Sequence, residues 1–232
     1  MKRFIPNFLT LLNLLSGCIG VVFVFTADLR MVSLMIAISL VFDFMDGAVA
    51  RMLNVKTELG KELDSLADLV SFGLLPSLIA YKILSEVSGS FLMYIAFLMT
   101  LMSAFRLAKF NLDKRQVTNF IGLPTPANAI FWSSFPLIIN GNTDTLWLMI
   151  MSVFAMDPVV ITICIGLCSF LLIAEIPLFS FKFENFHWKP NKYRYTLIAI
   201  SLILFISIWY YAIPFIIILY LFMSIIHNKL EN

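Results

Sequence analysis

Long apolar stretches separated by short polar segments make up most of this chain. A helix needs about 20 apolar residues to cross a bilayer, and eight stretches approach that length: residues 8–26, 31–53, 61–85, 88–110, 124–140, 158–181, 194–211 and 213–228. The fifth stretch is short, and only the region around Tyr211 to Pro214 separates the last two. The run from Leu146 to Ala155 fits an interfacial helix. The pattern predicts an all-α, polytopic integral membrane bundle of six to eight transmembrane helices.

The composition supports a membrane protein. Hydrophobic residues make up 61% of the 232 residues and charged residues only 13%, whereas soluble domains are roughly 45–50% apolar and about 25% charged. These values exclude a soluble globular domain and a disordered chain. The formal net charge of +2 offers no dense basic face, so we expect no nucleic-acid partner. The surplus of apolar side chains must face lipid.

Basic residues concentrate on one side of the predicted bundle. If the N-terminus is cytoplasmic, 14 of the 16 lysines and arginines lie in cytoplasmic loops and flanks, and only Arg30 and Lys82 lie on the other side. This bias predicts a multi-pass protein of the cytoplasmic membrane with both termini in the cytoplasm. The run 8–26 is long enough to remain as a first helix instead of a cleaved signal peptide. Without repeats or linkers, we expect one domain over 1–232, with a catalytic core of about 1–181 and additional helices at about 194–228.

Cysteine and histidine offer little for catalysis. Cys18, Cys164 and Cys168 all lie in apolar runs, which is typical of packing residues, and no second pair completes a zinc site. His187 and His227 lie far apart in the chain. Any chemistry is therefore expected to depend on carboxylates.

Two aspartates stand in the second apolar stretch, where an ionised side chain is costly. Each aspartate near the centre of a membrane helix costs about 2.5–3.5 kcal/mol on insertion scales, so Asp43 and Asp46 need compensation. On a helix they share one face with Gly47 and Ala50, at spacings of three, four and seven residues. That face carries two carboxylates and two very small residues, which leaves space for a bulky ligand.

A second acidic stripe begins the third apolar stretch. Gly60, Asp64, Asp68 and Ser71 follow one another at helical spacings of four, four and three. Two adjacent antiparallel helices would bring four carboxylates together at the cytoplasmic end, and such a group cannot stay ionised and unpaired. All-oxygen ligands suit Mg²⁺ or Mn²⁺, and four carboxylates could hold two ions.

The spacing alone leaves other interpretations open. Intramembrane acids also occur in inert ion-pair clusters and in the proton or cation relays of transporters. The small residues Gly47, Ala50 and Gly60 equally suit close packing between helices.

Residues 43 to 68 read D-F-M-D-G-A-V-A-R, eight residues, G-K-E-L-D-S-L-A-D. This resembles the signature of the CDP-alcohol phosphatidyltransferase family, D-x-x-D-G-x-x-A-R, eight residues, G-x-x-x-D-x-x-x-D. All eight fixed positions match: Asp43, Asp46, Gly47, Ala50, Arg51, Gly60, Asp64 and Asp68.

The resemblance implies an enzyme that transfers a phosphatidyl group from CDP-diacylglycerol, or an archaeal ether-lipid equivalent, to an alcohol and releases CMP. It implies that Asp43, Asp46 and Asp64 are metal ligands, and that Asp68 is both a ligand and the base for the acceptor hydroxyl. It further implies that the protein forms a homodimer. The residues that the resemblance implies in contact with the nucleotide of the CDP-lipid are Gly47, Ala50, Arg51 and Gly60.

Three further stretches resemble the membrane-embedded phosphatidylserine synthases, a branch of this family. They are the opening F-I-P-N-F-L-T-L-L-N-L-L-S-G, the stretch A-F-R-L-A-K-F-N from Ala104 to Asn111, and G-L-P-T-P-A-N-A from Gly122 to Ala129. Lys109 stands where that pattern has arginine. The expected acceptor is therefore L-serine, whose carboxylate the planar guanidinium of Arg106 could hold. An interfacial arginine that only snorkels is the alternative.

The remaining site predictions concern both substrates. Asn7, Thr10 and Asn13 share a face of the first helix and are expected to contact the nucleotide. The expected contacts with serine are Arg106, Asn111, Gly122, Pro124 and Thr125. Two alternatives remain: a related transferase that uses glycerol 3-phosphate or inositol phosphate, for which the cations near Arg106 would suit a phosphate, and a cation transporter.

Overall fold

Ten α-helices build almost all of the described chain. The structure is a computed structural model that describes residues 4–26, 28–55, 57–89, 91–112, 120–141, 144–178 and 187–231. The helices are α1 (Phe4–Phe25), α2 (Leu29–Met52), α3 (Glu58–Asp68), α4 (Leu75–Val87), α5 (Phe97–Leu112), α6 (Thr125–Ile139), α7 (Leu146–Met156), α8 (Pro158–Ile173), α9 (Trp188–Ile208) and α10 (Ala212–Glu231).

Short irregular elements join or interrupt these helices. A π-helix, Leu69–Leu74, connects α3 to α4 without a break, and 3₁₀-helices at Phe91–Ala96 and Trp209–Tyr211 precede α5 and α10. Two short strands, β1 (Phe120–Ile121) and β2 (Pro177–Leu178), pair antiparallel. The predicted all-α class is confirmed, with this single two-residue pairing added in the described part of the chain.

The length and composition of the helices confirm a multi-pass membrane protein. Among the described residues, five helical segments are long and apolar enough to cross a membrane, and a sixth counts if α7 and α8, which meet at a bend of 70°, form one span. The count of six is the lower end of the predicted six to eight, and a count of five lies below that range. The five segments are Phe4–Phe25, Leu29–Met52, Glu58–Val87, Phe91–Leu112 and Asn191–Asn228.

Two elements explain the difference from the predicted eight stretches. Helix α6 has only 15 residues, about 22 Å at 1.5 Å per residue, which is shorter than a bilayer core of about 30 Å. The last segment, of 38 residues, combines the predicted stretches 194–211 and 213–228. It contains a reversal at Trp209, whose φ of 53° lies in the left-handed region, and α10 packs back against α9.

The predicted stretch 158–181 is too long. Helix α8 begins at Pro158 because the side chain of Asp157 accepts hydrogen bonds from the backbone N–H groups of Val159 and Val160, an arrangement typical of an N-cap. It ends at Ile173. Pro177 lacks a backbone N–H and disfavours helical geometry in the residue before it, so the chain continues as β2 instead.

Glycines on α1 let this helix lie directly against the π-helix and α4. A Cβ atom at Gly17 would lie 2.5 Å from Ser71 Oγ, and one at Gly20 would lie 2.7 Å from Leu75 Cδ1. Both distances are too short for a side chain. This close packing brings the polar face of α1, which carries Thr10 and Asn13, against the helices that carry the aspartates.

The end of α5 and the start of α3 meet at one end of the bundle. The side-chain amide of Asn111 donates to Ser65 Oγ at 2.9 Å, and Lys61 Nζ donates to the carbonyl of Asn111 at 2.6 Å. The turn between α2 and α3 lies at the same end. This agrees with the common side that the basic residues predict, although the orientation in the membrane stays a prediction. The basic residues at positions 2, 3, 56, 114, 115 and 182 lie outside the described residues.

Candidate active site

Helix α2 carries the first pair of aspartates near its C-terminal end. Asp46 is buried, with 7% of its surface exposed, and its Oδ2 accepts a hydrogen bond of 2.5 Å from Thr10 Oγ1 on α1. Asp43, one turn earlier, is partly buried. The contact between Thr10 and Asp46 joins α1 to α2 at the level of the acidic face.

A tight turn sets the second pair opposite the first. Asn54 adopts a φ of 51° in this turn, a conformation that asparagine tolerates better than most residues. Thr57 then caps α3, because its hydroxyl accepts a hydrogen bond from the backbone N–H of Gly60 at 3.0 Å. Asp64 and Asp68 follow on α3, and Asp68 is only 9% exposed.

Three of the four predicted carboxylates form one cluster. Each of Asp43, Asp64 and Asp68 offers an oxygen, and these oxygens all lie within 4.8 Å of one another. Asp46 interacts electrostatically with the other three, but its Oδ2 is engaged by Thr10. No lysine or arginine in the described ranges forms an ion pair with any of the four. The cluster is therefore strongly electronegative.

The cluster fits a divalent cation. Like charges at these distances repel, and burial removes the water that would screen them. Asp64 Oδ1 is buried and has no hydrogen-bond partner among the described residues, so this oxygen is free to ligate a cation. An all-carboxylate donor set suits a hard ion that prefers oxygen. Asp43, Asp64 and Asp68 could hold such an ion, with Asp46 beside them.

A cavity of about 360 Å³ opens beside Asp46 and Asp64. Its volume lies within the usual range of ligand pockets, about 300–1,000 Å³. The walls come from α1, from the end of α2, from the turn and from the start of α3. The lining residues are Pro6, Asn7, Thr10, Asp46, Gly47, Ala50, Val55, Thr57, Glu58, Gly60, Lys61 and Asp64.

Gly47 leaves part of this cavity empty. A Cβ atom at Gly47 would have only one atom within 4 Å, Nη1 of Arg51 at 3.9 Å. Close packing between helices therefore does not explain this glycine. Gly60 differs, because a Cβ atom there would lie 2.9 Å from Thr57 Oγ1 and 3.1 Å from Asn7 Oδ1. Its small size allows the cap of α3 and the polar side chain of α1 to meet.

The predicted nucleotide contacts separate into two groups. Asn7, Thr10, Gly47, Ala50 and Gly60 line the cavity, and the exposed side chain of Arg51 lies close to Gly47. Asn13 lies deeper.

The side chain of Asn13 is fully buried, and its Nδ2 donates to Asp68 Oδ1 at 3.2 Å. Its backbone carbonyl accepts hydrogen bonds from the hydroxyls of Ser39 and Ser71. Asn13 thus joins α1, α2 and the π-helix directly behind Asp68.

Comparison with known proteins identifies the family. Residues 3–157 match the sequence profile described as CDP-alcohol phosphatidyltransferase. The chain belongs to the CDP-alcohol phosphatidyltransferase family. The match covers α1 to α7 and therefore every aspartate of the cluster and every residue that lines the cavity.

Several relatives of this phosphatidyltransferase carry the name CDP-diacylglycerol--serine O-phosphatidyltransferase. The protein of Helicobacter pylori (strain ATCC 700392 / 26695) is 31% identical over 206 residues, which cover 85% of this chain and 80% of the relative. The protein of Methanocaldococcus jannaschii is 34% identical over 200 residues, covering 86% and 82%. The protein of Bacillus subtilis (strain 168) is 30% identical over 182 residues, covering 78% and 92%.

Membership of this family shows that the protein is an enzyme. It also bears on the alternative of a cation transporter, which the sequence leaves open. The reaction of a phosphatidyltransferase requires positive charge beside a pocket for a nucleotide-linked lipid. Here a carboxylate cluster that fits a divalent cation lies beside the cavity. The cation transporter therefore has no support. The eight signature residues of the phosphatidyltransferase all lie at this end of α2 and α3.

On helix α5, Arg106 is buried, with 8% of its surface exposed. Its Nη1 donates to the carbonyl of Ile121 at 2.7 Å and contacts the carbonyl of Leu172 at 3.5 Å. A snorkelling arginine would reach into solvent, so that alternative is wrong. No carboxylate in the described part of the chain pairs with Arg106. The guanidinium ties α5 to the start of the segment before α6 and to the end of α8.

The other residues predicted to contact serine lie in two places. Asn111 bridges α5 and α3 at the end of the bundle. Gly122 has a φ of 74°, and a Cβ atom there would lie 2.8 Å from the carbonyl of Ala174, so only glycine fits. Pro124 occupies the N-cap of α6, and Thr125, the first residue of that helix, is buried.

Three features of the structure are not among the predictions. The contact between Asn13 and Asp68 joins residues 55 positions apart, and no local pattern predicts it. The π-helix after Asp68 is a second feature, of a type common at functional sites. The third is Asn128, which is fully buried in α6 with neither side-chain atom hydrogen-bonded within the described chain. Its only signal in the sequence is its place in the stretch from Gly122 to Ala129.

Proposed function

We propose that the protein transfers the phosphatidyl group of CDP-diacylglycerol, or of an archaeal ether-lipid equivalent, to the hydroxyl of L-serine. The products are phosphatidylserine and CMP. The observation that carries this proposal is the juxtaposition of three clustered carboxylates with the cavity beside Gly47. The names of the three relatives support serine as the acceptor.

The four aspartates have different proposed roles. Asp43, Asp46 and Asp64 act as metal ligands, and the hydroxyl of Thr10 fixes the orientation of Asp46. The proposed cofactor is a pair of Mg²⁺ or Mn²⁺ ions, of which Asp43, Asp64 and Asp68 can bind at least one. When bound, the ions supply positive charge that neutralises the diphosphate and the departing CMP.

Asp68 acts as both a ligand and the general base. In the reaction, the serine oxygen forms a bond to the phosphorus of the phosphatidyl group, and the bond from that phosphorus to the oxygen of CMP breaks. Asp68 accepts the proton that the serine hydroxyl loses. Asn13 holds Oδ1 of Asp68 through a hydrogen bond of 3.2 Å, which orients the other oxygen toward the acceptor.

The cavity beside the cluster receives the cytidine nucleotide of the CDP-lipid. Gly47 and Ala50 keep one wall free of side chains, so the nucleotide can approach the backbone of α2. Asn7 and Thr10 provide polar groups on the opposite wall, and Gly60 lies at the start of α3. Arg51 is close enough to Gly47 to contact the nucleotide or its phosphates.

The acceptor binds at the segment between α5 and α6. The proposed contacts with serine are Arg106, Asn111, Gly122, Pro124 and Thr125. Arg106 contributes a fixed positive charge near this segment, because its guanidinium is anchored on the carbonyl of Ile121. This charge favours an acceptor with a carboxylate.

The proposal also covers the oligomeric state of the enzyme and its orientation in the membrane. The protein works as a homodimer in the cytoplasmic membrane, with both termini and the active site on the cytoplasmic side. The positive charge on that side of the predicted bundle supports this orientation. The chain forms one domain, in which α9 and α10 follow the part that the family profile matches.

A panel of acceptor alcohols tests the proposal. Purified protein in detergent with CDP-diacylglycerol and Mg²⁺ or Mn²⁺ should release CMP with L-serine, and much more slowly with ethanolamine, glycerol 3-phosphate or inositol phosphate. An Asp68→Asn variant is the control for background hydrolysis. Faster CMP release with a phosphorylated alcohol than with serine would assign the protein to another branch of the family.

A further inference from the structure

Asn128 is a buried amide without a partner. None of its side chain is exposed, and neither Oδ1 nor Nδ2 has a hydrogen-bond partner within the described chain. Burying an amide with its donor and its acceptor both unsatisfied is destabilising. Such groups are rare in folded proteins, and each calls for an explanation, such as strain, a catalytic role or a bound water or ion.

The contact between α2 and α6 relates Asn128 to the polar network behind Asp68. Ser33 Oγ on α2 donates to the carbonyl of Ser133 on α6 at 2.7 Å, which fixes the two helices relative to each other. Toward the active-site end of the bundle, Asn128 is five residues from Ser133, and Ser39 is six residues from Ser33. At 1.5 Å per residue these displacements are about 7.5 and 9 Å. Measured along their helices, Asn128 and Ser39 therefore lie at similar distances from the contact between Ser33 and Ser133. Ser39 shares the carbonyl of Asn13 with Ser71.

The side chain of Asn128 is directed toward the first turn of α6. Side chains on an α-helix lean toward its N-terminus, and Asn128 is the fourth residue of this helix. No side chain caps the N-terminus of α6, so the backbone N–H groups of Thr125 and Ala127 have no partner within the helix. The side chain of Thr125 is buried at the same turn.

We infer that Asn128 and the first turn of α6 bind the carboxylate and the ammonium group of the acceptor serine, an inference that rests on the proposed function. The helix N-terminus favours a carboxylate. Nδ2 of Asn128 can donate to that carboxylate, and Oδ1 can accept from the ammonium group. The pairing of one donor and one acceptor suits an amino acid better than a phosphorylated alcohol, which offers no ammonium group to Oδ1.

Arg106 then acts mainly as a positioning residue. Its bond to the carbonyl of Ile121 holds the segment that leads into α6, four residues before Thr125. Within the proposed acceptor site, α6 binds the charged groups of serine directly, and Arg106 adds its positive charge and anchors the segment that leads into α6.

An Asn128→Leu variant tests the inference, with Ser134→Ala as the matched control. Leucine has the same number of side-chain heavy atoms, branches at the same carbon and removes both hydrogen-bonding atoms. Ser134 is also buried in α6 but bonds only to the carbonyl of Phe131 in its own helix. We expect Asn128→Leu to raise the KM for serine roughly 10- to 100-fold, with little change in the KM for CDP-diacylglycerol. Thermal unfolding should occur at an unchanged or higher temperature, because an unsatisfied amide has been removed.

Two results would overturn the inference. An unchanged KM for serine in Asn128→Leu shows that the amide does not touch the acceptor, and so does an equal rise in the KM values of both substrates. If the leucine variant does not fold, Asn128→Ser provides the same comparison without added volume. The assay of the wild-type enzyme tests the proposed function separately. If the wild type uses another alcohol and not serine, both the proposed function and this inference are contradicted. If the wild type uses serine and the Asn128 variants have an unchanged KM for serine, only the inference is contradicted.

Discussion

The side-chain amide of Asn13 on α1 donates a hydrogen bond to the carboxylate of Asp68 at the end of α3. Both residues are buried, and the carbonyl of Asn13 also accepts bonds from α2 and from the π-helix. The sequence pattern predicts that Asn13 contacts the nucleotide. Its position behind Asp68 indicates instead that it orients the proposed base.

Replacing Asn13 should therefore affect the rate more than substrate binding. In an Asn13→Leu variant, Asp68 loses a charge-assisted hydrogen bond worth about 1.5–3 kcal/mol, so kcat should fall roughly 10- to 100-fold. The affinity for CDP-diacylglycerol should change little. Ser16→Ala is the control, because Ser16 bonds only to a carbonyl of its own helix. A loss of affinity for CDP-diacylglycerol at constant kcat would contradict this role and show that Asn13 contacts the nucleotide.

Two glycines should respond in opposite ways to a larger side chain. Gly47 faces open space in the cavity, whereas Gly20 lies against Leu75. Gly47→Leu should keep the unfolding temperature and lose binding of CDP-diacylglycerol, because the new side chain fills the nucleotide cavity. Gly20→Ala should keep binding and lower stability by about 1–3 kcal/mol through overpacking. Binding isotherms and thermal unfolding in detergent measure both effects. Normal binding of CDP-diacylglycerol by Gly47→Leu would contradict the proposal that the nucleotide occupies this cavity.

The carboxylate cluster predicts a dependence on divalent metal. A chelator should abolish turnover, and Mg²⁺ or Mn²⁺ should restore it. Asp43→Asn and Asp64→Asn should each reduce activity more than about 100-fold, since even indirect partners of metal ligands cost 10–100-fold. Without metal, both variants should be at least as stable as the wild type, because one like charge has been removed. Full activity in chelator would contradict the metal site.

Arg106 should contribute to both stability and acceptor binding. Arg106→Ala leaves the carbonyls of Ile121 and Leu172 without their donor, so unfolding should become easier by about 1–3 kcal/mol. The KM for serine should rise more than the KM for CDP-diacylglycerol, since the segment before α6 loses its anchor. Lys109→Ala is a suitable control, because its ion pair with Glu175 is solvent-exposed and such pairs contribute about 0–1 kcal/mol. A variant with normal stability and normal KM values would show that Arg106 has neither role.

Features within one helix could be predicted from the sequence because helical spacing fixes which residues share a face. Asp43, Asp46, Gly47 and Ala50 belong to this group, and so do Asp64 and Asp68 on α3. The turn from Asn54 to Thr57 is short enough to make the two helices neighbours. These local rules lead directly to an acidic cluster with an open face beside it.

Features between distant helices could not be predicted in this way. The contact between Asn13 and Asp68 depends on how closely α1 approaches the π-helix, and that distance is set by Gly17 against Ser71. The predicted stretch 158–181 begins correctly at Pro158 but extends past the end of α8 at Ile173, because hydropathy does not register the effect of Pro177 on the backbone. The sequence also left the role of Arg106 open. Its partners are two backbone carbonyls from distant segments, and a hydropathy pattern carries no information about backbone carbonyls.

The most direct test of the central claim is the product of one reaction. Wild-type protein, CDP-diacylglycerol and isotope-labelled L-serine are incubated with Mg²⁺ or Mn²⁺, and lipids and nucleotides are quantified by mass spectrometry. Labelled phosphatidylserine and CMP should appear in equal amounts, and Asp68→Asn should reduce both about 10²- to 10⁴-fold, the usual cost of losing a general base. CMP without labelled lipid, or labelled lipid formed equally well by Asp68→Asn, would contradict transfer to serine at this cluster.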